Sequence, residues 1–91
     1  MLLGDLINRF QDEAVASETL LSLGDLALIA RLVARATESN MSAGELAAEA
    51  VGRFVKAASD DQWLTLLGRM SRVNDPGRAF LHHVLLRAAP A

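Results

Sequence analysis

Apolar side chains recur at three- and four-residue steps along most of this chain, the spacing of one face of an α-helix. Leu3, Leu6, Ile7, Phe10 and Ala14 form the first stripe, with Arg9, Asp12 and Glu13 opposite, and predict a helix over residues 4–16. LALIARLVARATES, from Leu26, is apolar almost all round, with its polar positions confined to Arg31, Arg35 and Glu38. Asp25 precedes it as a cap, and Asn40 can close it in a left-handed conformation. A helix with so narrow a polar strip belongs at the centre of something, and in a short chain a second copy can complete that centre.

Ser42 followed three residues later by Glu45 forms a capping box, in which each side chain satisfies a free backbone N–H of the new helix. That helix carries Leu46, Ala47, Ala50, Val51, Phe54, Val55 and Ala58 on one face, and Glu49 and Arg53 are spaced for an i,i+4 ion pair. Ser59 and Gln62 repeat the capping pattern before a helix with Trp63, Leu66, Leu67 and Met70 inward. Asp75, with Pro76 at the first helical position, starts the last helix, because proline there loses no hydrogen bond. Phe80, Leu81, Val84, Leu85 and Ala88 make its stripe, and Pro90 ends it. Residues 18–24 remain open: they either prolong a helix or form a short strand closed by Gly24. No repeat or linker separates these elements. The expected fold is all-α: one compact domain over residues 1–91, of about five short helices, in which residues 18–24 could instead pair as a strand across a dimer.

Composition sharpens this picture. Hydrophobic residues make up 52% of the 91 residues, with sixteen Leu and sixteen Ala, against 22% charged and 4% aromatic. Such a chain is neither a disordered tail nor, without cysteine, a disulfide scaffold. A net charge of −2 excludes attachment to nucleic acid by bulk charge. The longest uncharged runs, Gln62 to Gly68 and Ala79 to Leu86, fall far below the ~18 residues of a membrane span. Asp5 and Arg9 interrupt the first apolar run, so no secretory signal is expected, and a cytoplasmic, bacterial-type protein is the default.

The search for chemistry yields little. There is no Cys or Tyr, and no GxSxG, GxxxxGKS or HExxH spacing. Asp60 and Asp61 stand in a helix first turn, where acids favour the positive end of the dipole. His82 and His83 point about 100° apart on a helix, and their neighbours Arg78, Ala79, Leu86 and Arg87 are not metal ligands. They read as partly exposed surface histidines. Gly24, Gly44, Gly52, Gly68 and Gly77 make no phosphate cradle; Gly52 and Gly68, inside helices, suggest close helix-to-helix approach. No metal, cofactor or catalytic residue is expected, and the protein is expected not to be an enzyme. Charge is unevenly spread: residues 62–91 hold Arg69, Arg72, Arg78 and Arg87 against Asp75 alone, while residues 1–25 are acidic. The two ends either attract each other within one fold, or the arginines form a face for an acidic partner or phosphate backbone.

The stretch Thr19 to Lys56, containing TLLSLGD, LALIARLVARATES and NMSAGELAAEAVGRFV, resembles the ribbon-helix-helix family of bacterial repressors and antitoxins. The resemblance implies an intertwined homodimer with antiparallel ribbons, and a second helix whose start, Met41 to Gly44, faces the phosphate backbone. This sequence departs from the family where bases are read, since the candidate ribbon offers no Arg, Lys, Asn or Gln to a base edge. The sequence therefore favours a small non-enzymatic homodimer serving as an interaction or regulatory module for an unidentified protein partner. Leu20, Leu21, Leu23, Leu26, Ile29, Leu32 and Val33 are its expected seam, and Leu21→Asp is expected to dissociate or unfold it. The alternative is a ribbon-helix-helix DNA-binding regulator or antitoxin. No membrane association is expected.

Overall fold

The computed structural model describes residues 3–89. Six helices follow one another: α1 (Leu3–Arg9), α2 (Glu13–Ser22), α3 (Leu26–Glu38), α4 (Ala43–Ala57), α5 (Asp60–Met70) and α6 (Pro76–Ala88). There is no strand among the described residues.

The caps read from the sequence are in place. Ser42 and Glu45 form a reciprocal capping box on α4, and Ser59 and Gln62 form one on α5. Asp25 accepts from the Leu28 N–H at 3.1 Å, and Asp75 accepts from the Arg78 N–H at 3.2 Å behind Pro76. Asn40 adopts φ 60° after α3, and Gly24 adopts φ 72° before it. Glu49 and Arg53 pair on the outer side of α4. Pro90 lies outside the described residues.

Two expectations are corrected at the start of the chain. The helix expected over residues 4–16 is two helices, because Asp12 caps a new one by accepting from the Ala14 and Val15 N–H groups. The break turns Phe10 inward to stack on Phe80, with ring centroids 5.9 Å apart, and leaves Ala14 exposed. The alternative strand at residues 18–24 is not formed, because α2 runs through Ser22, and the break at Asp12 makes the helices six rather than about five. Ala16 and Leu20, one turn apart, are both buried, while the Thr19 hydroxyl donates to the Val15 carbonyl and the Ser22 hydroxyl to the Thr19 carbonyl. An isolated extended segment would leave its backbone groups without a ladder, whereas the helix pairs them within itself.

α4 is the hub and packs against α1, α2, α3 and α6. Its most extensive neighbour is α2, and the reason is Gly44. A Cβ placed there would stand 2.7 Å from the Glu13 carbonyl oxygen, so only glycine lets the two helix starts approach this closely. The Ser42 hydroxyl then reaches the Glu13 carboxylate at 2.7 Å. Gly52 and Gly68, expected to serve such contacts, face open space. The core joins Leu6, Phe10, Leu20, Leu28, Leu32, Val51, Phe54, Leu66 and the inner face of α6. Phe54 links α5 and α6 within it, edge-on to Trp63 at 5.1 Å and to Phe80 at 6.5 Å. α5 is peripheral: only Leu66 is buried, α6 is its main neighbour, and Leu67, expected inward, is 43% exposed. Ala88, expected on the inner stripe of α6, is also exposed. With a Cα radius of gyration of 12.2 Å, the domain has the compactness usual for its length.

Candidate interaction surface

α3 contains enough apolar residues to be buried on either of two sides. Leu28, Leu32 and Ala36 are the ones turned into the core, against α4. Two residues of the polar strip also reach back onto the protein. Arg31 Nε donates to the Ala89 carbonyl at 2.9 Å, and Arg35 donates to the Ala88 carbonyl at 3.0 Å. These are carbonyls at the end of α6 that have no partner within the helix, and two guanidinium groups also suit the negative end of its dipole. On the solvent side Leu26 is 78% exposed and Val33 48%, with Ala30, Ala34, Thr37 and Glu38 exposed beside them and Ile29 half-buried against the core. Charge enters this side only at its C-terminal end, with Glu38.

The residues expected to form the seam therefore divide. Leu20 and Leu32 are core residues, each 1% exposed, and cannot meet a partner without unfolding the domain. Leu23 and Ile29 are half-buried. Leu21, Leu26 and Val33 are exposed. Leu21 is 68% exposed in the single chain, so an Asp there would keep its carboxylate in water unless a partner covers it.

The four arginines of the basic segment are used differently. Arg78 donates to the Ser22 carbonyl at the end of α2, a contact between the acidic and basic ends of the sequence. Arg69 and Arg87 act electrostatically on His83, and Arg72 is exposed in the α5–α6 turn.

The two histidines also part company. His83, expected at the surface, is buried against Phe54, with ring centroids 6.1 Å apart, and its Nε2 has no hydrogen-bond partner among the described residues. Burial, and then the charges of Arg69 and Arg87, push its pKa down. His82 is half-buried, with Nε2 3.0 Å from Asp25 Oδ2, so α6 is fastened to the cap of α3. That hydrogen bond, with the Leu28 N–H, holds the Asp25 carboxyl below its ordinary pKa. Neither contact was legible locally, because His82 and Asp25 are 57 residues apart and Arg31 and Ala89 are 58 apart.

A groove of about 520 Å³ lies between α3 and α4, floored by Leu32, Leu46 and Ala50. Its rim charges are largely committed, Arg35 to Ala88 and Glu49 to Arg53. No group of three or more metal-ligating side chains occurs among the described residues. No described helix is long and apolar enough to cross a membrane. No protein-family model matches the chain, and neither does any curated protein or solved structure.

Proposed function

We propose that this protein is a non-enzymatic interaction module that associates with a second copy of itself through the outer face of α3. One observation carries the reading: Arg31 and Arg35 of α3 are turned onto their own domain, while Leu26 and Val33 are left in water. A small domain does not ordinarily expose contiguous apolar surface along a whole helix unless something covers it.

Sedimentation equilibrium at low micromolar concentration should give the mass of a dimer. Val33→Glu should give a monomer of unchanged helicity, because the carboxylate would be desolvated only in the complex. A monomeric wild-type protein at these concentrations overturns the reading. A DNA-binding role would require the last turn of α2 to re-form as a ribbon. Titration of duplex DNA between 50 and 200 mM salt tests it, since phosphate contacts produce a steep salt dependence.

A further inference from the structure

Side-chain hydrogen bonds between elements tie most of this fold together. Arg78 of α6 reaches the Ser22 carbonyl at the end of α2, Arg31 and Arg35 of α3 reach the Ala89 and Ala88 carbonyls, and His82 reaches Asp25. Ser42, ahead of α4, reaches Glu13. Among the described residues, α5 has no bond of this kind. Its side-chain bonds close within residues 59–71: Ser59 with Gln62, Thr65 onto the Asp61 carbonyl and Ser71 onto the Gly68 carbonyl. Only Leu66 is buried, and the half-buried Trp63 lies edge-on to Phe54. At 11 residues, α5 is also short, and isolated helices below ~12–15 residues are marginal in water. It is helical because it is docked, and apolar contact docks it.

His83 stands at that dock. Its buried ring and Trp63 both lie edge-on to Phe54, and its Nε2 has no hydrogen-bond partner among the described residues. A neutral imidazole keeps one nitrogen as an acceptor, whereas an imidazolium must donate from both. The charges that act on the ring are Arg69 of α5 and Arg87, one turn further along α6, and both are positive. On α4, the residues one turn from Phe54 (Ala50, Val51, Ala57 and Ala58) carry no charge. Glu13 and Glu18 of α2 and Asp60 and Asp61 of α5 are exposed, and none of them offsets the two arginines at the ring. We propose that α5 is a proton-gated flap, released from α6 when His83 takes up a proton, while α2, α3, α4 and α6 stay assembled. Release lets water reach Nε2 and takes Arg69 away from the ring, so both costs of the charge fall together. His82 does not loosen in the same range, because its protonated ring still has the Asp25 carboxylate to hold.

Amide hydrogen exchange, followed residue by residue on the whole chain, tests this, because it registers local openings too rare to be populated. With rates corrected for intrinsic exchange, α5 should be less protected than α4. Below the ordinary histidine pKa of about 6.5, α5 protection should fall by up to about tenfold for each pH unit, because opening binds one proton. His83→Leu should abolish that fall. Arg69→Gln, a change on an exposed side chain that leaves the core intact, should reduce it, and His82→Gln should leave it in place. Equal protection of α5 and α4 at every pH overturns the proposal, because exchange then requires the whole domain to unfold. An α5 protection that ignores pH overturns it as well, as does a fall left unchanged by His83→Leu or by Arg69→Gln.

Discussion

His83 lies edge-on to Phe54 with no partner for Nε2 among the described residues, and Arg69 and Arg87 add to the cost of a charge on its ring. The folded domain therefore takes up this proton at a lower pH than the unfolded chain does. The sign follows: the contribution is complete above the ordinary histidine pKa of about 6.5 and is lost as pH falls from there toward the lowered folded value. The thermal midpoint should drop between pH 7 and pH 5, and His83→Leu should flatten that part of the curve. A flat wild-type profile would mean the ring takes its proton freely. Asp25 acts lower. Its depressed pKa gives a contribution present above the ordinary carboxylate value of about 3.9 and lost as pH falls through the folded value, outside the histidine window. Nothing in the local sequence separates His82 from His83. The difference arises because α6 turns one ring toward Asp25 and the next toward Phe54.

At the scale of the helix, the glycines separate packing from propensity. Gly44→Ala improves helix propensity by about 1 kcal/mol but drives a methyl to 2.7 Å from the Glu13 carbonyl oxygen. The close contact is with backbone and cannot be relieved by a rotamer change, so a net loss of ~1–3 kcal/mol is expected. Gly52→Ala and Gly68→Ala meet open space and should each raise stability by roughly 0.5–1 kcal/mol. Urea midpoints of the three variants check this, and a stabilised Gly44→Ala would show that α2 and α4 can separate at no cost. The capping boxes of α4 and α5 were legible because both partners lie within one turn. Asp12 was equally local, but the apolar period runs on from Phe10 to Ala14 and hides the break it causes. Periodicity records which positions suit a helix, not whether one axis continues.

For the whole molecule, self-association links stability to concentration. If the outer face of α3 is covered by a second copy, the thermal midpoint should rise with protein concentration, and Val33→Glu should remove that dependence. An unchanging midpoint from micromolar to hundreds of micromolar would count against a dimer coupled to folding. The sequence by itself determined the helical class, most element starts, the caps of α3, α4, α5 and α6, and the apolar excess around α3. All of these rest on interactions within a few residues, which a linear pattern records. Only the tertiary structure decided which side of α3 is the inside. With apolar residues nearly all round, two sides were available. Leu28, Leu32 and Ala36 took the core beside α4, and Arg31 and Arg35 reached carbonyls at the far end of the chain. That choice moved Leu20 and Leu32 out of the expected seam and left Leu26 and Val33 in solvent. The reason is that burial of an all-round apolar helix is settled by what its neighbours can accept, and those neighbours come from distant parts of the sequence.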